Sequence, residues 1–143
     1  MRLYFDTAYI AKCYLNEEGG DKVRRLAREA ASRYSSAWSI AEFSCVIQRR
    51  IREGFLDKNQ GARIRSLFLE QLRNESWILL PVTETLLYRI EALTSTLPAK
   101  VFLRAGDALH LTTASEAGFT EIWSNDRHLV AAAPHFGLVG RSV

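Results

Sequence analysis

The sequence predicts an α/β fold, a short parallel sheet flanked by helices. Three observations carry that expectation. Short β-prone apolar runs alternate with amphipathic helical segments along the whole chain, the signature of strand–helix–strand units. One apolar run, Trp77 to Val82, is continuous rather than alternating, as in a strand covered on both faces. The segment 105–117 (AGDALHLTTASEA) is apolar nearly all round, as a helix near the centre of a domain would be.

Taken in order, residues 2–5 (RLYF) read as a first strand ending at Asp6, and residues 7–16 as a helix that Glu17-Glu18-Gly19-Gly20 breaks. Residues 21–32 carry Val23, Leu26, Ala27, Ala30 and Ala31 at helical spacing. Residues 34–37 suit a second strand. A longer helix runs to about Glu53, with Phe43, Ile47 and Ile51 as its apolar stripe and Gly54 as its stop. Its start has two readings. Ser39-Ile-Ala-Glu42 matches a capping box. A cap at Ser36 puts Glu42 a turn deeper and is preferred, because a cap at Ser39 leaves Trp38 just outside the helix. Helices over 57–75 and 83–96 flank the Trp77–Val82 strand, and Pro98 closes that region. Beyond 105–117, Gly118 is a stop, residues 121–123 a strand, residues 126–133 a short helix, and Leu138-Val139 a last strand.

The 143 residues form one domain, with no repeat or linker, and are enough to bury a core without disulfides or a structural metal. No apolar run approaches the roughly 20 residues of a membrane span. Asp6 and Lys12 interrupt the apolar N-terminal stretch, so a signal peptide is not expected. Cys13 and Cys45, far apart, read as two buried thiols of a reduced, cytosolic chain.

Nineteen Lys and Arg against sixteen Asp and Glu give a net charge of +3, which alone decides little. The distribution says more. Arg49, Arg50, Arg52, Lys58, Arg63 and Arg65 crowd into residues 48–65, and Arg suits phosphate through its planar fork of donors. Solvated helix faces and a surface for a polyanion are both open from this pattern.

Four acids stand in apolar surroundings: Asp6 at the end of the first strand, Glu42 between Ala41 and Phe43, Asp107 at the start of the apolar helix, and Asp126 after the Ile122-Trp123 strand. In an open α/β sheet ligands bind beyond the carboxyl ends of the strands, where Asp6 and Asp126 fall. Converging carboxylates repel unless protonated or joined by a cation, and oxygen donors suit a hard divalent ion such as Mg²⁺. Each acid also has a purely structural reading: Asp6, Asp107 and Asp126 as helix caps, Glu42 as half of a capping box. Thr7 and Ser124 adjoin the acids and suit a ligand-holding or a capping hydroxyl. His110, one turn from Asp107, has two readings, a support behind the site acids and a packed, hydrogen-bonded core histidine, of which the second is preferred. No zinc spacing, P-loop, dinucleotide fingerprint or G-x-S-x-G elbow occurs. An aspartate-nucleophile phosphatase is disfavoured because Ala8 stands where a second Asp is needed, and a receiver domain because the strand at 77–82 ends in Pro81-Val82-Thr83.

Four stretches together resemble PIN domains of the VapC type: LYFDTAYIAKCYLNEEGG at the start, SAWSIAEF at 36–43, LRAGDALHLTTA at 103–114 and WSNDRHL at 123–129. The resemblance spans nearly the whole chain. It implies a single PIN-like α/β/α domain and a ribonuclease dependent on Mg²⁺, with Mn²⁺ as a substitute. It also implies the toxin half of a toxin–antitoxin pair, a cognate antitoxin, an RNA substrate, a homodimer and a cytoplasmic place of work. Carried over residue by residue, it makes Asp6, Glu42, Asp107 and Asp126 the catalytic and metal-binding acids, with Thr7 and Ser124 supporting them. Arg49, Arg50, Arg52 and Arg104 are the expected phosphate contacts. The departures are Gly106 before Asp107, which could loosen the helix start, and Thr112 in place of a small apolar residue. The alternative is an RNA-binding module of the same fold that sequesters RNA without cutting it.

Overall fold

The computed structural model describes all residues, Met1 to Val143. Its elements are β1 (Arg2–Tyr4), α1 (Thr7–Tyr14), α2 (Gly20–Glu29), β2 (Ser32–Ser36), α3 (Ser39–Arg52), α4 (Lys58–Arg73), β3 (Ile78–Leu80), α5 (Glu84–Thr94), α6 (Ala105–Glu116), β4 (Glu121–Trp123), α7 (Arg127–Ala132) and β5 (Val139–Arg141). A 3₁₀ turn, Ala133–Phe136, joins the last two.

All strand pairs are parallel, β1 with β2, β2 with β3, and β4 with β5. A single parallel bridge between Phe5 and Trp123 and the Asp6 N–H to Trp123 carbonyl bond (3.2 Å) join the two groups. The strand order is therefore 3-2-1-4-5. The chain must cross the sheet after each strand, which the intervening helices do.

The alternation of β1 builds the three layers. Leu3 and Phe5 point into one core, with Tyr9, Ile10, Val23, Phe43, Ile47 and Phe68 from α1 to α4. Tyr4 points into the other, with Leu111, Ala114, Ile122 and Leu129. The first core is aromatic. Phe43 meets Phe68 edge-on at 5.0 Å and 86°, a geometry worth about 0.5–1.5 kcal/mol beyond burial. Gly61 of α4 lets that helix close on α3: a Cβ there would lie 2.7 Å from Ile51 Cδ1. In α6, Ala108 through Ala114 are all buried, as the all-round apolar pattern predicts.

Two expectations are corrected, and the less favoured of the two starts of α3 is ruled out. The strand at Trp77–Val82 is three residues long and only half-buried, because β3 lies at the edge of the sheet and one side lacks a neighbour. The thiols are not both buried: Cys13 is half-buried and Cys45 exposed, and both are free. Cys45 lies on the side of α3 turned away from Phe43 and Ile47. The capping box at Ser39–Glu42 does not form. Ser36 Oγ accepts from Trp38 N–H (3.1 Å) and closes the turn into α3, so Glu42 is released for other partners.

Candidate active site

The parallel order sets the carboxyl ends of β1 and β4 side by side. Asp6 follows β1 and Ser124 follows β4. Asp6 Oδ2 accepts from Ser124 Oγ at 2.5 Å, and Asp6 Oδ1 accepts from Tyr9 N–H at 2.9 Å. Asp6 therefore caps α1 and faces the site at once. Ser124 Oγ in turn accepts from Asp126 N–H (2.9 Å). Asp126 Oδ1 caps α7 through the N–H groups of His128 (2.8 Å) and Leu129 (3.2 Å). Both acids thus cap a helix and line the same cleft. Asp107 does not cap α6, whose cap position is Arg104; it sits in the first turn, at the positive end of the helix dipole.

Glu42 reaches the same place from α3. Its Oε1 accepts from Thr7 Oγ1 (2.6 Å) and from His110 Nε2 (2.7 Å). Tyr4 OH bonds the other ring nitrogen, Nδ1, at 2.9 Å. Glu42 and Tyr4 thus hold the two ring nitrogens of His110 between them, Nε2 donating to the Glu42 carboxylate. His110 is packed in the core, the preferred reading, and it also lines the cleft and holds Glu42, the lesser one. Its signal in the sequence was the one-turn offset from Asp107, which puts both side chains on one face of α6.

Asp6, Thr7, Glu42, Asp107, His110 and Asp126 line one open cleft of about 730 Å³, with Trp38, Arg49 and Arg104 at its rim. The electrostatics are uneven. Burial pushes the Asp6 carboxyl up to about 6, more than the nearby His110, Ser124 and Tyr9 N–H lower it. Burial also raises Asp107, against the pull of Arg104. At Glu42 burial is outweighed by the His110 hydrogen bond, the charge on that ring and the Thr7 bond, and its carboxyl is held below the usual range. At Asp126 burial is outweighed by the Leu129 and His128 N–H groups and by Arg104.

The arginines divide. Arg104 donates from Nε to Asp107 (3.2 Å) and from its terminal nitrogen to Asp126, so it bridges two acids of the cleft. Arg49 lines the cleft and sits 3.6 Å from Glu53. Arg50 turns away to Glu17 and lies over Phe55. Arg52 is exposed and does not line the cleft.

No three His, Cys, Asp or Glu side chains close into a ready metal cage. The donor set is nonetheless all carboxylate, with Glu42 Oε2 and Asp107 Oδ1 free of hydrogen bonds, and suits a hard ion that keeps most of its waters. Gly106 makes room for it. A Cβ there would stand 2.9 Å from Glu42 Oε2. Gly106→Ala is expected to stabilise the first turn of α6 by about 0.5–1 kcal/mol while pushing Glu42 aside. Thermal melting checks the balance: a net gain means that Glu42 yields easily, a net loss that its bonds to Thr7 and His110 resist the displacement.

Comparison with known proteins follows the same outline. The model of the PIN domain family matches residues 3–133. No curated protein sequence matches the chain. Among solved structures, VapBC2 from Rickettsia felis, bound to a DNA fragment from its promoter, superposes with a TM-score of 0.69 at 13% identity, covering 99% of this chain and 98% of that one. VapC20 of Mycobacterium tuberculosis, described as a toxin that cleaves the sarcin–ricin loop, gives 0.70 at 14%, covering 91% and 94%. FitAB bound to the IR36 DNA fragment gives 0.69 at 16%, covering 99% and 94%. These similarities establish a shared fold.

Proposed function

The chain belongs to the PIN domain family, and from that premise we propose that it is a metal-dependent endoribonuclease of VapC type, the toxin of a toxin–antitoxin pair. The observation that carries this reading is the convergence of Asp6, Glu42, Asp107 and Asp126, from four distant parts of the chain, on one open cleft.

Asp6 and Asp107 are the main ligands of a Mg²⁺ ion in this reading, with Mn²⁺ able to replace it; Glu42 and Asp126 complete the site directly or through water. Bound there, the ion supplies a water of lowered pKa and neutralises charge developing on the phosphate. The chain does the rest. Ser124 and the Tyr9 N–H fix both oxygens of Asp6. His110 and Thr7 keep Glu42 ionised and aimed. Arg104 and Arg49, at the rim, contact the RNA backbone, which positions the strand without reading its sequence. Arg50 and Arg52 face elsewhere and make no part of that contact.

One observation favours a second reading. Arg104 already neutralises Asp107 and Asp126, as it would in a module that binds RNA without cutting it. Inducing the wild-type chain beside Asp6→Asn, and sequencing the 5′ ends of the cellular RNA, separates the two. Growth arrest with discrete new ends from wild type alone supports the nuclease. Arrest by both without new ends supports sequestration. A cognate antitoxin, homodimerisation and a cytoplasmic place of work go with the proposal, and co-expression with the antitoxin should relieve the arrest.

A further inference from the structure

The segment from Val101 to Arg104, leading into α6, has no regular secondary structure but a strict alternation. Val101 and Leu103 turn inward and pack on the second core. Phe102 and Arg104 turn outward, and both are exposed. The inward pair holds the outward pair in place.

Phe102 is 51% exposed, a large apolar ring left in solvent beside an acidic cleft. It is not loose. It stacks on the His128 ring at 4.0 Å between centroids, with the planes 29° apart. The platform is tied to the site twice. The His128 N–H donates to Asp126 Oδ1 at 2.8 Å, and the Arg104 guanidinium, which bridges Asp107 and Asp126, lies 5.8 Å from the Phe102 ring centre. A flat ring half in solvent, a second ring stacked on it and a guanidinium 5.8 Å from its centre are the parts that receive one unstacked nucleobase and the phosphate joined to it.

We propose that the Phe102–His128 stack is the platform for a nucleobase beside the phosphate that is cut, and that it makes the chain select single-stranded RNA. The inference rests on the nuclease reading and deepens it. Stacking tolerates any base, because every base has a π-face. It requires that the base be free of a duplex, as in loops, bulges and ends. Phe102 and His128 are thus positioning residues for substrate; neither touches the reacting atoms.

The test is binding of a short single-stranded oligouridylate carrying one 2-aminopurine, stepped through its positions, to the full chain in EDTA and low salt. Wild type should quench the probe most strongly at one position. Phe102→Ala should abolish that quenching and weaken binding about tenfold or more, the size of losing one stacked base. Phe102→Trp should restore both, and Phe102→Leu, which keeps apolar bulk without a ring, should not. Placing the 2-aminopurine in a paired stem should remove the signal. Absent quenching by wild type, or quenching undiminished in Phe102→Ala, overturns the platform. Cleavage of unlabelled RNA with Mg²⁺ is read separately. If wild type quenches through Phe102 but cuts nothing, the nuclease reading falls and the platform stands. If it cuts and Phe102→Ala still quenches, the platform alone falls. In a cutting enzyme, Phe102→Ala should raise KM more than it lowers kcat.

Discussion

Asp6→Asn should abolish RNA cleavage and, without divalent ion, make the protein more stable. Both effects follow from where Asp6 sits. It is 5% exposed and holds its carboxyl at about 6, against 3.8 for a free aspartate, because burial opposes the charge. Between about pH 4 and pH 6 the folded chain keeps a proton that the unfolded chain has released, so stability falls as pH rises through that window. At neutral pH the folded protein carries this cost in full, of order 2–3 kcal/mol. Asn removes the charge and still serves as an N-cap, so its net gain should be about 2 kcal/mol. Urea unfolding in EDTA at pH 7.5 and at pH 4 checks the sign: the advantage of Asn should be large at the higher pH and absent at the lower. Adding Mg²⁺ or Mn²⁺ should reverse the order, since an ion that binds only the folded wild-type site stabilises it by mass action. Cleavage should drop by several kcal/mol of barrier, on the order of a thousandfold. Equal cleavage by Asn and wild type would end the proposal that Asp6 serves the reaction.

His110→Ala should cost the fold about 3–5 kcal/mol, through the cavity it opens and the hydrogen bonds it breaks. That is a large part of the stability of an ordinary domain. The ring is 2% exposed and stands between Tyr4, Thr7 and Glu42. Tyr4→Phe alone should cost about 1 kcal/mol, and the double variant less than the sum, because both changes break one bond. A structural role alone would stop there. The site predicts more: without its His110 donor, the Glu42 carboxyl rises from its lowered position. The acid limb of the cleavage profile should then move to higher pH. His110→Gln, which keeps an N–H donor, should recover part of the shift. A pH profile unchanged in shape would make His110 a core residue only.

Much of the protein was legible in its residues. The 3.6-residue period of 21–32 and the all-round apolar character of 105–117 both marked helices, although α2 ends at Glu29 and Ser32 already belongs to β2. Asp6, Asp107 and Asp126 were found by their apolar neighbours and by their positions after strands or at a helix start. The turn at Ser36 was legible as well, although α3 itself starts one turn later, with Trp38 at the N-cap position and no side-chain cap. These are local facts, set by neighbours within a turn or two.

What only the tertiary structure decided has a common cause: it depends on residues distant in sequence. That β3 lies at an edge follows from the 3-2-1-4-5 order, which no single strand encodes. The bond from Tyr4 to His110 spans 106 positions and that from Ser124 to Asp6 spans 118, so the two roles of His110 stood as alternatives in the sequence and coexist only in the fold. Arg50 and Arg104 looked alike as basic residues. One pairs with Glu17, just after α1, and the other bridges two acids of the cleft. A side chain's charge is local, but its partner is chosen by packing, and packing is a property of the whole chain.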